Sequence, residues 1–295
     1  MKFRSFAILL TIIMLGPIRV AQSQDDRWLA VNDFLYQLQN ADIDQIAASE
    51  FDLVVMDISE ADAEAIQTLH DSGKLVLCYM SIGEAEDYRW YWSDDWDSDP
   101  PDFLDEENPD WEDNYKVHYW DPGWQALFFG SEEAYLDQVL ALGFDGIYLD
   151  IIDAYDYYED QGRDTAAEEM VDFVLALAVY ARERDPDFGV FPQNAEELSL
   201  DFPEYLEAMT GIGVEDIYYG YPDDGIASPD DWTAKREAIL DQWVEAGKLV
   251  LTIDYTDDPD QIADAYTRSR AQGYVPYVAN RDLDALRINP GFEPD

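Results

Sequence analysis

The chain is poor in the residues from which most catalytic schemes begin. Its 295 residues include one cysteine, Cys78, and two histidines, His70 and His118. A lone cysteine cannot close an internal disulfide, which excludes a disulfide-stapled scaffold. Cys78 lies inside the apolar run 75–80 and reads as a small core residue rather than a reactive thiol. The histidines form no ligand-spaced pair, so zinc is not expected. His118, in Val117-His118-Tyr119-Trp120, reads as a packing or substrate-contacting residue rather than a base. No Gly-x-Ser-x-Gly elbow exists, and Ser81 in Met80-Ser81-Ile82-Gly83 lacks that form, which removes a Ser-His hydrolase. No glycine-rich dinucleotide or phosphate fingerprint follows an early strand, so no cofactor is expected.

Positive charge is also scarce. Seventeen Lys and Arg face 66 Asp and Glu, for a formal net charge of -49. Such a surface repels nucleic-acid phosphates and anionic membranes and attracts cations. Strong acidity often marks disorder, but 47% hydrophobic and 14% aromatic residues suffice for a large core. The composition is that of a salt-adapted globule, whose self-repulsion is screened within about 10 Å at 0.1 M salt and over less at molar salt. A monomer is expected.

Two of the basic residues stand where export would want them. Lys2 and Arg4 precede an almost continuous apolar run from Phe6 to Leu15, and Ala21-Gln22-Ser23 offers small residues at the positions a signal peptidase reads. The apolar run is short of the roughly 20 residues of a membrane span, and no cysteine follows it for a lipid anchor. The expectation is a signal peptide over 1–23, cleavage before Gln24, and a secreted or periplasmic chain with no membrane contact; an uncleaved anchor is the alternative.

Residues 24–295 alternate short apolar runs with amphipathic stretches. Candidate strands are 35–38, 53–56, 75–80, 147–149, 190–191, 213–214, 249–253 and 274–278. Helical spacing marks 61–70, 132–142, 166–184, 203–209, 232–246 and 261–271, with Gly73, Gly143, Gly247 and Gly273 as stops before strands. Eight strands alternating with helices predict a single α/β domain, a (β/α)8 TIM barrel, with a doubly wound open sheet as the rival. After the third strand runs a long loop, 81–121, rich in Asp, Pro and Trp. It carries Trp90, Trp92, Trp96, Trp111 and Trp120, of which some should pack the loop down and others offer flat apolar faces to sugar rings.

Five candidate strands end in an acid: Asp57, Glu84, Asp150, Glu215 and Asp254. The clearest case is 143–153, where two glycines punctuate a turn and Ile147-Tyr148-Leu149 delivers Asp150 at the strand's carboxyl end, where barrel enzymes keep catalytic groups. The plainer reading of Asp150 is a cap for the following helix. If the barrel closes, the five acids converge on one mouth and push one another's pKa values apart. Two-carboxylate chemistry points first to glycoside hydrolysis. A structural Ca²⁺ on Asp150, Asp153 and Asp156 is the other reading, although no Asp-rich glycine loop of known form is present, and no metal is assigned.

Three runs, 77–89 (Leu-Cys-Tyr-Met-Ser-Ile-Gly-Glu-Ala-Glu-Asp-Tyr-Arg), 119–124 (Tyr-Trp-Asp-Pro-Gly-Trp) and 143–153, together with Gln193-Asn194, Gly213-Val214-Glu215 and Ile253-Asp254-Tyr255, resemble glycoside hydrolase family 114 over nearly the whole mature chain. The resemblance implies an endo-α-1,4-polygalactosaminidase-like (β/α)8 barrel that cleaves galactosaminyl polymers with retention. By likeness, Asp150 corresponds to the nucleophile and Glu215 to the acid/base. Asp57, Glu84, Asn194, Asp254 and Tyr255 match the other pocket positions, and Tyr79, Arg89, Trp120 and Asp153 complete the expected substrate-binding set. The expected partner is a polysaccharide, cationic if its amino groups are free. The rivals are a catalytically silent carbohydrate-binding barrel and a glycosidase of neutral α-galactosides.

Overall fold

A computed structural model describes residues 26–96 and 98–295; the expected leader, 1–23, lies outside the described residues. Eight parallel strands follow one another in chain order: β1 (Phe34–Tyr36), β2 (Leu53–Asp57), β3 (Leu75–Ser81), then, past the long loop, β7 (Gly146–Asp150), β8 (Gly189–Pro192), β9 (Gly211–Glu215), β10 (Leu249–Tyr255) and β11 (Val275–Ala279). The loop after β3 supplies three short strands of its own, β4 (Glu84–Glu86), β5 (Leu104–Glu107) and β6 (Asn114–Val117).

The parallel strands form two sheets, β1-β2-β3-β7-β8 and β9-β10-β11. Register is continuous within each: Val55 pairs with Leu77, Leu77 with Gly146 and Ile147 with Val190, while Leu251 pairs with both Gly213 and Val275. The sheets meet where Gln193 bridges Gly213 beyond β8, and on the other side β1 packs along β11, with Phe34 against Tyr277 at 5.6 Å. These strands are apolar or glycine at most positions because they are buried on both faces.

Every predicted strand and helical stretch is present, with ends shifted by one to three residues. The chain's many acids act locally as caps: Asp42, Asp62, Asp121 and Asp258 each accept backbone N–H groups at helix starts. Gly143 and Gly273 end helices in the left-handed conformation. Gly213 serves a different purpose. A Cβ there would lie 1.7 Å from the Tyr148 hydroxyl, so glycine makes room for that ring inside the strand layer.

The loop after β3 is more ordered than its composition suggests. Its strands form an antiparallel sheet in the order β4-β6-β5, and Trp92 packs on Trp96 and Tyr115 with ring centroids 4.8 and 4.9 Å apart. The carboxyl tail contains no helix. It runs back over the fold, where Phe292 stacks on Tyr266 at 4.5 Å and Asn289 donates to the Val278 carbonyl at 2.9 Å.

Candidate active site

The carboxyl ends of the parallel strands open into a cavity of about 640 Å³. Asp150 ends β7 and Glu215 ends β9, and both line it. Between them stands Gln193, one residue past β8. Its Nε2 donates to Asp150 Oδ1 at 2.9 Å and to Glu215 Oε2 at 2.7 Å. The Tyr36 hydroxyl donates to Gln193 Oε1 at 3.0 Å, which fixes the amide with its two hydrogens toward the acids. The Asp150 and Glu215 oxygens are therefore no further apart than those two bonds laid end to end.

Each carboxylate has further donors. Tyr79 donates to Asp150 Oδ2 at 2.6 Å, and the Ile151 N–H donates to Oδ1 at 2.8 Å. Ile151 pays for that geometry with φ of 58°, a strained setting for a β-branched residue. Asp150 thus bonds the turn that follows it, while the next helix, Ala154–Asp160, starts from Asp153; the helix-cap reading of Asp150 does not hold. Tyr255, the last residue of β10, donates to Glu215 Oε1. Asn194 accepts from the Glu215 N–H at 3.0 Å and lies 3.4 Å from Oε2 through Nδ2.

Burial raises both acids, because enclosing protein atoms disfavour their charged forms. Glu215 is pushed up to about 7, by burial first and then by the charges of Asp150 and Asp216. Asp150 rises to about 6 through burial, held down by the Tyr79 hydroxyl and the Ile151 N–H. Both acids are thus held nearer to their neutral forms than free carboxyls, and they titrate as a pair. A carboxyl raised by folding contributes stability below its unfolded pKa of roughly 4, and that contribution is lost as pH rises through the folded value. Glu215→Gln should therefore gain Tm relative to wild type between pH 5 and pH 8. Melting curves at both values test this; a difference independent of pH would contradict it.

The remaining expected residues divide. Asp57, Arg89, Glu84, Asp153, Tyr79, Asn194 and Tyr255 line the cavity. Arg89 is buried between Asp57 at 2.6 Å and Glu86 at 2.6 Å, so a single cation is shared by two of the wall's acids. Glu84 accepts from Asn108 at 2.7 Å and, like Asp153, forms no ion pair among the described residues. Burial raises the pKa of each, opposed at longer range by the charge of Lys116 on Glu84 and of Arg236 on Asp153. Trp120 and Asp254 lie outside the lining. Trp120 is held between His118, stacked at 5.0 Å, and the Arg163 guanidinium, 3.7 Å above its ring. Asp254 is buried and accepts the Tyr218 and Tyr219 N–H groups at 2.7 and 2.8 Å, which shapes the turn after β9. Asp150, Asp153 and Asp156 do not come together as a ligand set, and no group of three or more His, Cys, Asp or Glu among the described residues could hold a metal.

Several contributors had no assigned role in the sequence reading. Gln193 and Tyr36 are two; Arg236 is a third. From the helix Asp230–Glu245 it grips Glu196 in a bidentate pair at 2.5 and 2.9 Å, and donates to the Glu215 carbonyl at 2.6 Å and to Asn194 Oδ1 at 3.0 Å. Arg281 pairs with Asp216 at 2.9 Å and lies 4.0 Å over the Tyr255 ring. Of these, the sequence pointed only to Gln193, through the family-like pair Gln193-Asn194.

Comparison with known proteins places the chain. The model of glycoside-hydrolase family GH114 matches residues 18–291. An uncharacterised protein of Methanocaldococcus jannaschii is 39% identical over 275 residues, covering 86% of this chain and 77% of that protein. The glycoside hydrolase domain of PelA from Pseudomonas aeruginosa superposes with a TM-score of 0.70 at 20% identity, covering 88% of this chain and 98% of the domain. Ega3 of Aspergillus fumigatus, solved in complex with galactosamine, gives 0.65 at 19% identity, covering 86% and 92%.

Proposed function

The chain belongs to glycoside-hydrolase family GH114, and from that premise we propose that it is an endo-acting glycosidase cleaving α-linked galactosaminyl polysaccharide with retention, on a single (β/α)8 barrel. The observation that carries the reading is the Gln193 amide bonded to two carboxylates at once, at 2.9 and 2.7 Å. Retention needs carboxyl groups about 5–5.5 Å apart, whereas inversion needs about 6.5–9.5 Å to seat a water between them. Two oxygens joined through one nitrogen fit the shorter spacing. Eight consecutive parallel strands, a bridge at one seam and side-chain packing at the other support the barrel.

In the proposed first step, ionised Asp150 attacks the anomeric carbon while Glu215 gives its proton to the departing glycosidic oxygen. The C–O bond to the leaving chain breaks and a glycosyl ester on Asp150 forms. In the second step Glu215, now ionised, takes a proton from water, whose oxygen displaces Asp150 and restores the hemiacetal. A carboxyl raised toward neutral pH, as burial raises Glu215, can hold the proton that this sequence requires. Tyr79 and Gln193 support the charge on Asp150 in its leaving state.

The cationic amine of galactosamine suits the cavity's balance of charge. Glu84 and Asp153 face the cavity with no cation paired to either among the described residues, and a substrate ammonium would supply one. The Ega3 complex with galactosamine gives a relative of like fold that takes this sugar. The expected result is new reducing ends from de-N-acetylated galactosaminyl polymer, with slower or no release from the acetylated polymer and from neutral α-galactosides. Binding without new ends would indicate a silent carbohydrate-binding barrel, and preference for neutral chains would overturn the amino-sugar assignment.

Export and salt adaptation extend the same proposal. A polymer is met outside the cell, and a mature amino terminus at Gln24 would support cleavage of the leader. Because 66 acids outnumber 17 bases, Tm should rise from low to molar salt. An unchanged Tm across that range would refute the salt requirement.

A further inference from the structure

Beside the main cavity lies a second one of about 330 Å³, bounded by Ile58 and Ser59 after β2, Tyr88, Arg89 and Trp90 in the loop after β3, and the helix Tyr135–Leu142. Ser59, Tyr88 and Arg89 line both cavities. The two hollows are therefore halves of one groove that passes over a saddle made by these three residues.

The aromatic residues along this path are ordered. Trp111 borders only the main cavity, Tyr88 borders both, and Trp90 borders only the second. All three are open to solvent, at 54%, 63% and 45% exposure, in a chain whose other tryptophans in this loop are packed down. Their exposure has an apolar cost that ordinary packing would have removed, since Trp90 is adjacent to a hydrophobic layer it only edges, with Tyr135 at 4.6 Å. The saddle is rigid. Arg89 is locked between Asp57 and Glu86, and Ser59 donates to Asp57 Oδ1 at 2.6 Å. A rigid, polar saddle with an exposed ring on each side suits a chain of pyranose units, each with an apolar CH face and an equatorial hydroxyl edge.

We propose that the second cavity is a distal subsite for the same polysaccharide, in which Trp90 stacks on a sugar unit remote from the cleaved bond after the chain has crossed Tyr88. The proposal rests on the glycosidase reading of the main cavity and deepens it: a polymer that fills both hollows extends beyond the point of cleavage, as endo-attack requires. Stacking on Trp90 engages units that a short oligosaccharide does not have, so its contribution depends on chain length. Trp90 would determine which lengths are cut well, without touching the reacting atoms.

The test uses α-1,4-galactosamine oligomers of graded length, with binding measured by calorimetry on Glu215→Gln and kcat/KM measured in the otherwise native protein, each with and without Trp90→Ala. The expected result is that Trp90→Ala weakens binding and lowers kcat/KM on the longest oligomers by roughly tenfold and leaves the shortest bound oligomer unchanged. Trp90→Phe, which keeps an aromatic face, should recover most of the loss. Melting curves separate a folding defect, which would affect every length alike. An equal loss at all lengths, or no loss on long chains, would overturn the subsite, as would failure of the protein to bind any of these oligomers. Length-dependent binding without any cleavage by wild type would leave the subsite standing and defeat the glycosidase reading instead.

Discussion

Replacing Asp150 by Asn is expected to reduce polymer cleavage to background, and Glu215→Gln to lower it by about 10²–10⁴-fold. The two losses differ in kind. Asp150 forms the bond to the sugar, so its amide leaves no nucleophile whatever the leaving group. Glu215 is needed in the first step only when the departing oxygen must be protonated. With an aryl glycoside whose phenolate leaves unaided, Glu215→Gln should still form the glycosyl ester on Asp150 and then stall, because no base activates the water. Mass spectrometry should find that ester in the Glu215 variant and never in the Asp150 variant. Full activity in either folded variant would remove that residue from the mechanism.

Arg236→Met is expected to cost about 3–5 kcal/mol of stability, the usual result of removing one member of a buried ion pair. Arg236 and Glu196 are both buried, at 7% and 2% exposure, so the methionine would leave Glu196 charged with no partner. For a domain of this size such a loss corresponds to a fall in Tm on the order of 10 °C. Activity should fall further than the loss of folded protein explains. The guanidinium also holds the Glu215 carbonyl and Asn194 Oδ1, and so fixes the strand ends that carry the acid/base. Adding Glu196→Met should restore much of the stability, since a buried pair can be replaced by apolar side chains at little net cost, but should not restore the placement of Glu215. Thermal melts and kcat for the three variants test this. A single variant as stable as wild type would show that the pair is not an anchor.

How far the sequence reveals this protein depends on the length over which each signal repeats. The eight parallel strands were legible because burial on both faces makes Val54-Val55-Met56 or Leu249-Val250-Leu251 apolar throughout. The helices that were missed, such as Ala154–Asp160, are short and rich in Asp and Tyr, so no apolar stripe repeats. The sheet β4-β6-β5 was hidden for a similar reason: Leu104–Glu107 is mostly acid, and its order comes from Trp and Tyr rings packed from elsewhere in the loop. A strand-ending acid led to the cavity at Asp150 and Glu215, the last residues of their strands, and away from it at Asp254, one residue before the end of β10. Beyond that one-residue offset, the next turn separates them. The backbone after Glu215 folds over Asp254 and takes up its Oδ1 through the Tyr218 and Tyr219 N–H groups, a contact between segments 35 and 36 residues apart. Gln193 stood in the family-like pair Gln193-Asn194 without a role, because a neutral amide carries no titratable signal, although it is the group that ties the two acids together.

Proton NMR of the first product released from an α-linked galactosaminyl oligomer, recorded before mutarotation, tests the pairing of Asp150 with Glu215 most directly. A double displacement at oxygens this near to each other gives an α-configured reducing end. A β-configured end appearing first would mean that water attacks directly, and that these two carboxylates do not divide the work in this way.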